Sequence, residues 1–98
     1  MPWQGTGGFV FGALFITMNA PVQGGVYGLW RENDWIYIGR AVDIGARLLQ
    51  HTNGDNECIN RRAPSHFGYE LISQEPARIA REAALIMELR PACNQRVG

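Results

Sequence analysis

The chain has 98 residues, with nine basic and nine acidic side chains and a net charge of zero. That length supports one domain with a modest core and no need of disulfides. The neutral balance argues against a strong nonspecific polyanion binder, and nothing in the composition is collagenous, repeated or disordered.

Residues 1–22 read as an apolar N-terminal arm. Gly5, Gly7, Gly8 and Gly12 punctuate it, and Asn19-Ala20-Pro21 closes it. Phe9, Val10, Phe11, Leu14, Phe15 and Ile16 should pack on the domain, as an extra strand or lid, or on a second copy. The apolar run is shorter than the roughly 18 residues of a membrane span. No basic n-region precedes it, so a cytoplasmic protein is expected, although Met18-Asn19-Ala20 faintly resembles a cleavage region.

Residues 23–98 form the second segment. Gly25-Val26-Tyr27 and Tyr37-Ile38-Gly39 lie in two short aromatic and β-branched strands joined by Arg31-Glu32-Asn33-Asp34. A turn near Glu32 sets Tyr27 opposite Tyr37, with both hydroxyls able to address one ligand. A slip of one residue would flip every side chain to the other face. Asp43 then caps a short amphipathic helix carrying Ile44, Leu48 and Leu49 and ending near Asn53-Gly54. Arg47 and His51, four apart, share one of its faces beside the apolar stripe.

The stretch 55–65 reads as loop with a turn of helix, and 66–72 as a third strand. Pro76 sits in the first turn of a helix that runs to Leu89 and ends at Arg90-Pro91. Ile79, Leu85, Ile86 and Leu89 make its apolar stripe, with Glu82 in the middle. A carboxylate there costs several kcal/mol unless compensated. An i,i+4 pair with Arg78 or a bound metal ion would each do so, and both stay open at this point.

Cys58 and Cys93 are expected as free buried thiols. With His51 and His66 they number four potential zinc ligands, but no paired-ligand spacing supports that use. All the basic residues are arginine, whose planar fork matches phosphate oxygens two at a time. Arg40, Arg47, Arg61, Arg62, Arg78 and Arg81 flank the site segments, while Glu32, Asp34, Asp55 and Glu57 sit in turns. A neutral chain can therefore still carry a basic face.

Taken in order, Gly25-Val26-Tyr27, Tyr37-Ile38-Gly39-Arg40, Arg47, His51, Glu82-x-x-Leu85-Ile86 and Pro91-x-x-Asn94 resemble the GIY-YIG nuclease domain. That family includes the N-terminal incision domain of the bacterial excinuclease, phage intron homing endonucleases and some restriction enzymes. The resemblance covers about residues 24–95, and Val26 in place of isoleucine is its one departure. It implies an α/β (α+β) fold, a central three-stranded antiparallel sheet flanked by helices. It implies a metal-dependent DNA endonuclease, with Glu82 holding a single magnesium or manganese ion.

By the same resemblance, Tyr27 is the general base or water-orienting group, unless a metal-bound hydroxide is the base. Tyr37 and His51 place the water and the scissile phosphate. Arg47 and Arg40 bind phosphate, and Asn94 plays a supporting part. DNA is the expected partner, with no membrane. The lack of zinc-finger spacing, helix-turn-helix pattern or basic tail implies low intrinsic specificity, to be supplied by a homodimer or a partner protein. The rival reading is a catalytically silent nucleic-acid-binding or assembly module, which would have no need of Glu82.

Overall fold

Alternating apolar residues bounded by turn formers build the sheet, and 3.6-residue periodicity builds the helices around it. The computed structural model describes residues 6–94; residues 1–5, with Gly5, and 95–98 lie outside it. In chain order it has β1 (Thr6–Val10), α1 (Ala13–Asn19), β2 (Gly25–Arg31), β3 (Asp34–Ala41), α2 (Ile44–Thr52), α3 (Glu57–Arg62), β4 (His66–Leu71) and α4 (Glu75–Leu89). A 3₁₀ turn, Ala92–Asn94, follows. Among the described residues no helix is long and apolar enough to cross a membrane.

The sheet is antiparallel with strand order β1-β4-β2-β3. It therefore has four strands rather than the three expected. The extra one comes from the N-terminal arm, whose Thr6–Val10 segment pairs with β4 from Thr6↔Tyr69 to Val10↔His66. An unpaired strand edge exposes a row of N–H and C=O groups, and β1 satisfies that row. The arm also sends Ile16 of α1 into the core, where it is 1% exposed.

The β2–β3 hairpin departs from the expected register. Arg31 pairs with Asp34, so only Glu32 and Asn33 make the turn, and a bulge follows between Trp30↔Trp35 and Leu29↔Tyr37. Tyr27 consequently faces Gly39, not Tyr37. The offset is two residues, and a two-residue shift keeps a side chain on its own face. The two rings still meet, with centroids 6.1 Å apart.

Alternation along the strands divides the core. Tyr27, Leu29, Ile36 and Phe67 pack with Ile16, Ile44, Leu48 and Ile59 of α1, α2 and α3, while Val26 and Ile38 meet Leu85 of α4 on the opposite face. β3 is an edge strand of the sheet, and the 3₁₀ turn Ala92–Asn94 packs against it.

Of the remaining expectations, one is met and three are corrected. The turn of helix expected within 55–65 is Glu57–Arg62, started by the Asn56 side chain accepting from the Ile59 amide at 3.1 Å. That helix carries Cys58 to Cys93, and the two form a disulfide, Cα–Cα 5.6 Å, so neither is a free thiol. Arg78 does not pair with Glu82: its guanidinium donates to the Ile72 and Ser73 carbonyls at 3.0 and 3.1 Å and bridges to Glu75. Those carbonyls lie just past the end of β4, and a buried arginine satisfies them. Ile79 likewise leaves the buried stripe, which keeps Leu85 with Ile86 and Leu89 beside it.

Candidate active site

The site begins with two close approaches. A Cβ on Gly39 would strike the Tyr27 ring and lie 2.8 Å from the Tyr37 ring. A Cβ on Gly25 would strike the backbone carbonyl of Glu70 across the ladder. The glycines of both triplets are thus steric requirements: one lets Tyr27 lie across β3, the other lets β2 meet β4.

Helix α2 brings the next groups. The Asp43 carboxylate accepts from the Ala46 amide at 3.0 Å and sets the first turn. Arg47 and His51 follow one turn apart, but they do not lie equally beside the apolar stripe. His51 is inside the core, 1% exposed, whereas Arg47 stays at the surface. The Tyr27 hydroxyl sits 2.7 Å from His51 Nε2. His51 Nδ1 is 2.9 Å from Asp55 Oδ1, and Arg47 Nη1 donates to Asp55 Oδ2 at 2.5 Å and to Gln50 Oε1 at 2.7 Å. The Tyr37 ring stands edge-on to His51, centroids 5.4 Å apart.

Charge placement follows burial. Burial pushes the Tyr27 hydroxyl far above its ordinary value, and the neighbouring Tyr37, Asp55 and Glu82 add to this against Arg47. Burial raises Tyr37 as well, with the adjacent Arg47 pulling the other way. It lowers His51, opposed by Asp55. Burial would raise Asp55, but hydrogen bonds from Arg47 and His51 outweigh it and hold the carboxyl below its usual range. Near neutrality this gives a protonated phenol, a neutral imidazole and an ionised carboxylate.

On the other face of β3, Arg40 shares the parity of Ile38 and projects toward α4. Its Nη1 donates to Glu82 Oε1 at 2.5 Å and its Nε to Glu75 Oε1 at 3.2 Å. Asn94 acts on the strand between these two layers. Its Oδ1 accepts from the Ile38 amide at 2.7 Å and its Nδ2 donates to the Ile38 carbonyl at 2.9 Å. One side chain thereby satisfies both backbone groups on the free edge of β3, as a further strand would.

The fold therefore gathers Tyr27, Tyr37, Arg47 and His51 on one face and Arg40 and Glu82 on the other, with Asn94 at the edge between. Of the other flanking arginines, Arg78 is bound into the β4–α4 turn, Arg81 holds Glu70, and Arg61 faces Glu57 on α3. His66 lies against Trp30 and Ser65, outside the cluster. Asp55 and Glu75 join the site without belonging to any motif of the sequence. Asp55 had a usable signal, since it follows His51 by four, but that relation crosses the end of α2.

No group of three or more His, Cys, Asp or Glu able to hold a metal occurs among the described residues. That leaves Glu82, 17% exposed at its side chain, as a lone carboxylate whose charge reaches both tyrosines. A single protein carboxylate suits a hard divalent cation that keeps most of its own waters, as magnesium does.

Comparison with known proteins places the fold. A family model described as the GIY-YIG catalytic domain matches residues 23–96. Excinuclease cho of Salmonella typhi is 32% identical over 80 residues, covering 80% of this chain and 27% of that protein. The corresponding Escherichia coli K12 protein is 32% identical over 79 residues, covering 79% and 27%. The chain thus spans about a quarter of the length of these relatives.

Among solved structures, the GIY-YIG N-terminal endonuclease domain of UvrC from Thermotoga maritima, bound to its catalytic magnesium, superposes with TM-score 0.74 at 27% identity. It covers 85% of this chain and 96% of that one. A point mutant of the same domain bound to its catalytic divalent cation gives TM-score 0.75 at 27% identity, covering 86% and 96%.

Proposed function

The chain belongs to the GIY-YIG family, and from that premise we propose that it is a divalent-metal-dependent DNA endonuclease of low intrinsic sequence specificity. The observation that carries the proposal is a buried Tyr27–His51–Asp55 chain with an arginine on one face of β3 and, on the other, the Glu82 carboxylate, whose charge reaches both tyrosines. Phosphodiester hydrolysis needs an activated water, stabilisation of extra charge on the phosphoryl oxygens, and help for the leaving oxygen.

Glu82 would hold the ion, magnesium or manganese, which when bound supplies charge neutralisation and polarises the phosphate. Arg47 presents its fork to the phosphate from the α2 side and stabilises charge that develops there. Arg40, now paired with Glu82, would supply a second contact to the backbone of DNA. Tyr37 borders the space between Arg47 and Tyr27 and helps to orient the water. Asn94 supports the site by keeping β3 in register.

Tyr27 is the proton acceptor for the attacking water or orients it directly. A phenol of ordinary pKa near 10 is a poor base at neutral pH, and burial makes this one poorer still. It can act as a base only by passing its own proton on, and His51 Nε2 lies within reach. Recognition of particular DNA would come from outside this domain.

A catalytically silent binding module keeps one observation on its side, the Arg40–Glu82 ion pair. Relaxation of supercoiled plasmid separates the two readings. Nicking with magnesium or manganese that stops on chelation is expected. DNA retained in a gel shift but left uncut with both ions would favour the silent module.

A further inference from the structure

We propose that Asp55 is a positioning residue of this reaction: its carboxylate holds His51 as the Nδ1–H tautomer, so that Nε2 is ready to take the Tyr27 proton. The proposal rests on the endonuclease reading. It concerns a residue that belongs to none of the sequence motifs.

His51 has few partners. Its ring is sealed in the core, and its nitrogens meet Tyr27 from β2 and Asp55 from the α2–α3 connection. Tyr37 of β3 faces it with a ring edge, and Arg47 of its own helix lies on the far side of Asp55. Around the cleft beside it lie Phe11, Ile59 and Asn60, none of which titrates.

An ionised carboxylate can only accept a hydrogen bond. The 2.9 Å contact at Nδ1 is therefore an N–H donation to Asp55. A neutral imidazole has one N–H, so Nε2 carries the lone pair and the Tyr27 hydroxyl donates across the 2.7 Å contact. The opposite tautomer would aim an N–H at the phenol oxygen and leave Tyr27 no base.

The local chain explains how Asp55 reaches this place. Helix α2 ends at Thr52, and Gly54, with φ +84°, reverses the backbone so that the carboxylate comes back beneath His51. The second carboxylate oxygen holds Arg47. One side chain thus orients both the proton acceptor and the arginine that faces the phosphate.

Every proton in the step has a donor and an acceptor. Tyr27 gives its proton to His51 Nε2, and the phenolate takes one from the attacking water as the new O–P bond forms. The P–O bond to the leaving oxygen breaks, and that oxygen takes a proton from solvent. The imidazolium, stabilised meanwhile by Asp55, then returns its proton to Tyr27 as Tyr27 releases one to the water that has replaced the product.

The test uses the full chain with 15N-labelled histidine. The imidazole signals are assigned through His51→Gln, and plasmid nicking is timed with magnesium on the same samples. The wild type should show a protonated Nδ1 and an unprotonated Nε2 at His51. Asp55→Asn, which can turn an NH2 toward Nδ1, should lose that preference and cut about 10²- to 10⁴-fold more slowly, as when a triad carboxylate is neutralised. DNA affinity should change much less. Asp55→Glu should recover part of both signals.

A wild-type His51 protonated at Nε2 overturns the proposal without any variant. So does an Asp55→Asn protein that keeps its tautomer yet cuts slowly, because Asp55 would then act through Arg47 alone. A changed tautomer with an unchanged rate also overturns it. A wild type that never cuts with metal refutes the endonuclease reading instead, while the nitrogen signals still decide who sets the tautomer.

Discussion

The two faces of β3 solve the same problem, polar groups beside a core, in opposite ways. On the α2 face, Tyr27 and His51 are each 1% exposed and joined in a line with Asp55, so each hydrogen bond there has one available partner. On the α4 face, Arg40 is solvated and shared between Glu82 and Glu75. Buried polar groups lose a great deal when a partner is removed, whereas exposed ion pairs contribute little and exchange readily. The first face holds its geometry tightly, and the ion pairs of the second exchange more easily.

Glu82→Gln breaks the second face most completely. It keeps the shape of the side chain and removes the charge. Metal-dependent nicking should fall by at least about 10³-fold, the scale of losing charge stabilisation aimed at the transition state. The melting temperature should hold, since Arg40 retains Glu75. A mutant that cuts at the wild-type rate removes Glu82 from the metal site.

Arg47→Lys strikes the first face at its exposed end. The lysine keeps the charge and can still meet Asp55, but it loses the fork. Turnover should drop by about two orders of magnitude with a milder loss of DNA binding. A variant impaired only in a binding titration would put Arg47 outside the reacting geometry.

Arg40→Gln sharpens the contrast from the other direction. With the competing cation gone, Glu82 should bind magnesium several-fold more tightly in a calorimetric titration, while affinity for DNA declines. Unchanged magnesium affinity would mean that Arg40 does not compete with the ion.

The smallest effect is in the pH dependence of stability. Burial lowers His51 below its usual 6.5, so the unfolded chain binds a proton there before the folded one does. The stability due to keeping it neutral is complete above about pH 7, and it is lost as pH falls below 6.5 toward the lowered value. Asp55, held below 3.8, loses its contribution only in stronger acid. Melting curves between pH 4 and 7 should slope in the wild type and flatten in His51→Gln; equal slopes would show that other groups carry the acid sensitivity.

Much of this site was legible in the chain. Tyr27 and Tyr37 could be placed on one face because a period of two survives a two-residue error in register, and the turn and the bulge each contributed one residue of that error. Arg47 and His51 could be placed one turn apart because Asp43 marks where α2 begins. Their unequal burial could not be read, since it depends on how α2 rolls against the sheet. Glu82 was legible as an anomaly in an apolar stripe, but its partner was not. Arg40 is 42 residues away in sequence and arrives only when β3 lies under α4.

Sequence by itself determined the elements of the second segment, their capping residues, the motif glycines and the candidate side chains of the site. All of these depend on neighbours within a few positions, where sterics and periodicity act directly. Tertiary structure alone decided three other things. The arm became a fourth strand because β4 left an edge to cover. Cys58 found Cys93 because α3 and the 3₁₀ turn converge. Asp55 became the partner of His51 because the chain reverses at Gly54. Each is a contact between segments whose approach is set by packing, and packing is a property of the whole core.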